Sequence, residues 1–141
     1  MIHTFIQTIV QNDKLFVIED KESAGMSQSL LFQNEDGSPV GVICFWSEQK
    51  LAQNCCVEDW KNYRPQEICL ASFIEDYLIP TYNESLIGGL DFNTNMEGIE
   101  ADPLHIIELL IAELRLKNKR IELEHFKDLN DLEQQLKRLL N

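Results

Sequence analysis

The sequence predicts an α+β protein: a small mixed sheet with helices packed on its faces, an N-terminal helix, and a C-terminal strand–helix extension. Two observations carry this. Apolar residues recur at spacings of three and four in separate stretches, the helical period, and between them lie short runs with strand-like alternation or unbroken apolar character. The order of these units shows no repeat, so the architecture is that of mixed layers around one core. At 141 residues, 44% of them hydrophobic, the chain can bury roughly 68% of the surface its unfolded form exposes and needs no metal or disulfide to hold a core. Six Gly and four Pro exclude collagen-like or low-complexity structure.

Ile2, Phe5, Ile6, Ile9 and Val10 make residues 2–11 a short amphipathic helix, broken by Asn12-Asp13. Leu15-Phe16-Val17-Ile18 is apolar on both alternating faces, as in a strand covered on both sides. Met26, Gln28, Leu30 and Phe32 alternate with Ser27, Ser29, Leu31 and Gln33 in a half-buried strand pattern. The turn signal Asn34-Glu35-Asp36-Gly37 leads into a second strand from Val40 to Trp46, so residues 26–46 read as a β-hairpin. Ser47 is placed to cap a helix that sets Leu51, Ala52, Cys55, Cys56 and Trp60 on one face. Arg64-Pro65 ends that unit, and Glu67-Ile68-Cys69 is extended. A third helix turns Phe73, Ile74, Tyr77 and Leu78 inward until Pro80 ends or kinks it.

Leu86 to Phe92 reads as a strand in which Gly88-Gly89 marks a bulge or close backbone packing, and residues 93–98 as a loop. Asp102-Pro103 is a strong helix start. That helix carries an inward stripe of Leu104, Ile107, Leu110, Ile111 and Leu114, with Ile106 at its edge. Leu109 and Leu116 point elsewhere and need cover, which makes them candidates for self-association. Residues 1–118 form the domain. The extension, residues 119–141, packs on the same domain or on a second subunit: Ile121, Leu123 and His125 alternate as in an edge strand, and Asp128 caps a last helix bearing Leu129, Leu132, Leu136, Leu139 and Leu140.

Twelve Lys+Arg stand against 24 Asp+Glu, a formal net charge of −12, and residues 1–102 carry the whole of the excess. Such a field repels nucleic acid and anionic membranes and attracts basic proteins. Acidic surfaces also keep cytosolic proteins soluble. Cys44, Cys55, Cys56 and Cys69 form no Cys-x-x-Cys pair and lie in apolar segments, so they read as reduced and mostly buried. The N-terminal residues lack the features of a secretory signal and no window spans a bilayer, which points to the cytoplasm.

Catalytic signatures are missing. There is no nucleophile elbow, no phosphate-cradling glycine motif, and His3, His105 and His125 sit on separate elements. Asp91, Asn93, Asn95, Glu97 and Asp102 mimic calcium-loop spacing, but Met96 stands where the loop requires Gly. No metal or cofactor is expected. Asp91, Glu97, Glu100 and Asp102 could supply a carboxylate pair for acid–base work but read as solvated loop charge, and the run Arg115, Lys117, Lys119, Arg120 as cations favoured at a helix C-terminus. Trp46 and Trp60 suit core anchors at a strand–helix junction. With Asp91 and Asn93 they are also the candidate ligand or partner contacts.

The stretch at residues 15–20, then Gly41-Val42-Ile43-Cys44-Phe45-Trp46, Ala52, Trp60, Pro65, Ile68, Leu70, Phe73 and Gly88-Gly89-Leu90-Asp91-Phe92-Asn93 resembles a bacterial family known only as domain of unknown function 2750. The resemblance covers roughly residues 1–115, departs from the family pattern at Phe16, Phe45 and the residue after Asn93, and implies a small cytosolic α+β domain without an assigned activity. Two functions follow as expectations. The first is a non-enzymatic, acidic protein-binding domain for a basic partner, an immunity-type protein neutralising a basic toxin being one form of it. The alternative is a small ligand-binding domain or enzyme with a pocket near Trp46, Asp91 and Asn93. The chain is a monomer, or a homodimer through Leu109, Leu116 or the last helix.

Overall fold

A computed structural model of the chain describes residues 1–21 and 23–140. Its elements are α1 (Ile2–Asn12), β1 (Leu15–Glu19), β2 (Met26–Gln33), β3 (Pro39–Phe45), α2 (Gln49–Asn54), a 3-10 turn (Glu58–Trp60), β4 (Arg64–Ile68), α3 (residues 70–83), β5 (Ile87–Leu90), β6 (Ile99–Ala101), α4 (Pro103–Leu116) and α5 (Leu129–Leu140). The fold class is α+β. β2-β3-β5-β6 form a curled mixed sheet in which β3 and β5 are parallel and the outer pairs antiparallel. β1 and β4 stand apart from that sheet as a two-stranded antiparallel ribbon, where the sequence predicts a single sheet. Phe16 and Trp46 join ribbon to sheet by exchanging two backbone hydrogen bonds of 2.8 Å.

The unbroken apolar run of β1 is explained by what lies on either side of it. Leu15 and Val17 enter the larger core, with α1, α3, α4 and Phe45; Phe16 and Ile18 enter a smaller one with Val42, Cys44, Trp46, Ala52, Cys55, Trp60 and Phe92. β3 divides in the same way, so the candidate site residues stand over the smaller core. β5 tolerates its glycines because the neighbours occupy their side-chain space. A Cβ on Gly88 would lie 2.8 Å from Ile106 Cδ1, and one on Gly89 2.7 Å from Val42 Cγ1.

Helix α3 runs through Pro80 to Asn83 rather than ending there. Residues Phe73–Leu78 are wound as a π-helix, and the Ile79 N–H donates to the Ile74 carbonyl five residues back. The wider turn lies just ahead of Pro80, whose missing N–H and bulky ring would otherwise break an α-helical ladder. In the smaller core Ala52, Cys55 and Trp60 are buried as the sequence predicts, but α2 stops at Asn54 and Trp60 arrives on the separate 3-10 turn.

The tail departs most from its sequence pattern. Residues 117–128 form no strand. Ile121, Leu123 and Phe126 still pack on the larger core. The Glu75 carboxylate accepts the backbone N–H groups of Glu124 (2.9 Å) and His125 (2.7 Å), supplying the acceptors an edge strand would have found in a neighbour. The basic run stitches elements together instead of merely facing its own helix end. Lys119 Nζ donates to the Val10 carbonyl at the end of α1 (2.6 Å), and Arg115 meets Glu133 of α5 at 2.9 Å. Asp128 Oδ1 accepts the Asp131 N–H (2.9 Å), and Leu132 and Leu136 are buried in the larger core. The Leu140 side chain and Asn141 lie outside the described residues. Leu109 is half-buried against the core, whereas Leu116 is 72% exposed.

Candidate functional site

Because β3 and β5 are parallel, their carboxyl ends open side by side, and the residues that follow each strand meet. The Asp91 N–H donates to the Phe45 carbonyl (2.9 Å), and its φ of 52° is a left-handed conformation that Asp tolerates better than most residues. Asp91 Oδ1 accepts the Ser47 N–H at 2.8 Å and Oδ2 accepts the Ser47 hydroxyl at 2.9 Å. Ser47 is held by Asp91 one residue ahead of the N-cap position, and α2 begins after Glu48 with no side-chain cap. Burial pushes the Asp91 carboxyl above its ordinary value, opposed by the two Ser47 hydrogen bonds and reinforced by nearby Glu48.

Below this junction Trp46 is fully buried, and its indole N–H donates to the Phe92 carbonyl (2.8 Å). The Cys55 thiol reaches the same oxygen at 3.3 Å. Trp60 packs edge-on against Trp46 with centroids 6.1 Å apart. Asn93 is exposed, and its Oδ1 accepts the N–H groups of Asn95 (2.9 Å) and Glu97 (3.1 Å), closing the loop that follows β5. Of the four candidate contacts, then, Trp46 and Trp60 form one aromatic pair, Asp91 buttresses the strand ends above it, and Asn93 shapes a loop.

The pocket lies beside these residues. A cleft of about 540 Å³ is lined by Met26, Glu58, Trp60, Asn95 and Met96, among others; Trp60 alone of the four borders it. Glu58 (φ 51°) and Met96 (φ 62°) are both left-handed. The calcium-like series is dispersed in its duties: Asp91 holds Ser47, Asn93 holds its own loop, and Asp102 Oδ1 caps α4 by accepting the Leu104 N–H at 2.8 Å. Among the described residues no three His, Cys, Asp or Glu side chains converge on a metal position. Burial pushes the Cys44 thiol up to about 12 and raises Cys55 and Cys56 as well; Cys69 is exposed.

One constellation escaped the sequence reading. The alternation predicted for β2 buries Leu30 and Phe32, but Ser29 is the buried residue, and Leu30, Leu31 and Phe32 are 73%, 72% and 48% exposed. The register of β2 against β3 shifts between Gln28 and Gln33. Within that bulge the Ser29 hydroxyl donates to Glu100 Oε1, Glu100 Oε2 accepts the Leu30 N–H (2.9 Å), and Ser29 Oγ accepts those of Leu31 (3.0 Å) and Phe32 (2.7 Å). Glu100 belongs to β6, at the opposite edge of the sheet, and its reach to β2 follows from the curl. The signal was present in Leu30-Leu31-Phe32: three consecutive apolar residues cannot share one face of a regular strand.

The charge is arranged in space as well as along the chain. All four strands of the mixed sheet come from residues 23–49 and 65–114, and neither stretch contains a Lys or Arg. Their carboxylates include Glu35, Asp36, Glu84, Glu97, Glu100 and Asp102. Ion pairs among the described residues (Lys14–Glu67, Arg115–Glu133 and Lys119–Asp13) draw their cations from outside those stretches.

A family model described as Protein of unknown function (DUF2750) matches residues 2–110 of the chain. The chain belongs to the DUF2750 family. The match takes in every strand, the Asp91–Ser47 junction and the Ser29–Glu100 clamp, while Leu116, Lys119 and α5 lie beyond it. No curated protein and no solved structure matches this DUF2750 chain. Among its described residues no helix is long and apolar enough to cross a membrane.

Proposed function

We propose that this chain is a non-enzymatic, cytoplasmic binding domain that docks a basic protein through its acidic surface. The observation that carries the reading is the mixed sheet built wholly from segments without Lys or Arg. Carboxylates on segments that carry no cation of their own favour a negative local field, which steers an oppositely charged protein into encounter and penalises anionic competitors. An immunity-type role, in which the domain covers the cationic face of a basic toxin such as a nuclease, is the concrete form we favour. The test is capture from a native lysate followed by titration of the purified partner. A basic protein whose affinity falls steeply between low and high salt supports the proposal, and the lack of a basic partner at either salt overturns it.

The second reading is a small-ligand site in the cleft beside Trp60, favoured by the left-handed backbone of Glu58 and Met96 on its walls, since such strain gathers at binding loops. Thermal-shift screening with metals and metabolites separates the two. A reproducible rise in Tm that Glu58→Ala abolishes supports the cleft.

A further inference from the structure

We propose that the bulged tip of β2 and the groove beside it are the docking face for the basic partner, and that the segment they receive is a basic amphipathic helix. This rests on the binding role proposed above and adds the surface and the shape of what it binds. Leu30, Leu31 and Phe32 stand 73%, 72% and 48% exposed in one continuous ridge. Isolated exposed apolar residues are ordinary, but three in succession beside a groove mark an interaction surface. That groove, about 570 Å³, is of mixed polarity, its walls including Phe32, Val40, Leu86 and Ile87 beside polar Asn83 and Asp102.

The partner's shape follows from the backbone. A free edge strand invites a further strand by offering its N–H and C=O groups. Here the N–H groups of residues 30–32 are already held by Ser29 and Glu100, so the ridge can be recognised through its side chains and not by strand addition. A helix meets a ridge and groove of this kind with an apolar stripe at i, i+3, i+4 and i+7. The partner's charge follows from the rim. Glu35 and Asp36 lie in the hairpin tip after the ridge, Glu84 follows the groove residues of α3, Asp102 closes one end, and the contributing stretches hold no Lys or Arg. A helix with Lys or Arg flanking its apolar stripe satisfies both ridge and rim. A second copy of this chain brings the same negative rim and is repelled.

The test uses the full chain and a synthetic helix-forming peptide of Leu and Lys, about 18 residues or five turns long, beside a scrambled peptide of identical composition. Fluorescence anisotropy is read at about 0.05 M and about 0.5 M salt. The amphipathic peptide is expected to bind at least about tenfold more tightly than the scrambled one. The triple substitution Leu30→Ser, Leu31→Ser, Phe32→Ser is expected to erase that margin while leaving Tm and binding of the scrambled peptide unchanged. If the triple variant does not fold, Leu31→Ser alone takes its place, with a loss of about fivefold or more expected. Equal binding of the amphipathic peptide to wild type and variant overturns the docking face. So does a wild-type dimer in sedimentation that the variant dissociates, since a second copy then covers the ridge. If both peptides bind alike and release with salt, the docking face falls and the acidic-surface reading stands. If neither binds at low salt, both fall.

Discussion

Replacing Asp91 separates two contributions that its carboxylate combines, hydrogen bonds that stabilise and a half-buried charge that does not. The carboxylate accepts the Ser47 amide at 2.8 Å and the Ser47 hydroxyl at 2.9 Å, and Ser47 is only 6% exposed. In Asp91→Ala both donors lose their acceptor with little water to replace it, at about 1–3 kcal/mol for each unsatisfied group. Alanine also takes up the left-handed φ of 52° at an extra cost of about 1 kcal/mol. Removing the half-buried charge offsets part of this, which leaves a net loss of about 2–4 kcal/mol. Asp91→Asn keeps an acceptor for the amide, lets the Ser47 hydroxyl turn to accept, and suits the backbone, so its cost stays below about 1 kcal/mol.

The pH dependence supplies an independent sign. Burial raises the Asp91 carboxyl above its ordinary 3.8 in the folded protein, so folding favours its protonated form. The stabilisation from that proton is complete below the unfolded value and is lost as pH rises through the higher folded value. Wild type should thus lose stability relative to Asp91→Asn as pH rises from 3.8 toward neutrality. Urea denaturation of the three proteins across that range measures both effects. Equal stability of the alanine and asparagine variants would refute the hydrogen-bond account. A wild-type-to-asparagine gap that is flat, or that grows in favour of wild type with pH, would refute the burial account.

Three further outcomes test other parts of the fold. Leu136→Ala, at a side chain only 3% exposed against the larger core, should cost about 2–5 kcal/mol by denaturation, whereas Leu116→Ala, 72% exposed, should cost less than about 0.5. Glu75→Ala should speed hydrogen exchange at the amides of Glu124 and His125 by about tenfold or more, as their carboxylate acceptor is lost. Alkylation at neutral pH should label exposed Cys69 first and Cys44 last, because burial pushes Cys44 to about 12 and holds it as the unreactive thiol.

Elements whose apolar pattern matched their packing were legible in the sequence. α1 ends at Asn12 with Asp13 left-handed, Asp102 caps α4 with Pro103 behind it, and the hairpin turns at Gly37 with φ 86°. Three of the failures share a cause: an acceptor supplied from far along the chain. Ser47 suits a helix cap, but Asp91, brought alongside by the parallel pairing of β3 and β5, accepts both of its donors, and the helix starts one residue later, after Glu48. Residues 121–125 alternate like a strand because alternate side chains pack inward, yet Glu75 supplies the acceptors that strand pairing would have provided. β2 fails for the same reason, with Glu100 reaching across from the far edge of the sheet. β6 is three residues long with a glutamate at its centre, too short and too polar for a periodic signal. Local pattern reports which side chains are covered; it does not report which distant carboxylate satisfies the backbone.

The ridge and the charge also account for each other. Fully burying a leucine or phenylalanine side chain gains about 1.5–3 kcal/mol, so two copies meeting ridge to ridge would gain several kcal/mol from apolar contact. A protein carrying that surface needs a force that keeps copies apart, and a net charge of −12 with no cation in the mixed-sheet segments provides it. The same field attracts when the approaching surface is basic, so on the docking proposal one charge distribution both discourages self-association and favours a basic partner. Solubility is served by the net charge wherever along the chain the twelve cations lie. The absence of cations from the segments around an exposed apolar strand tip, whose N–H groups at residues 30–32 are occupied, is what the docking proposal accounts for and solubility does not.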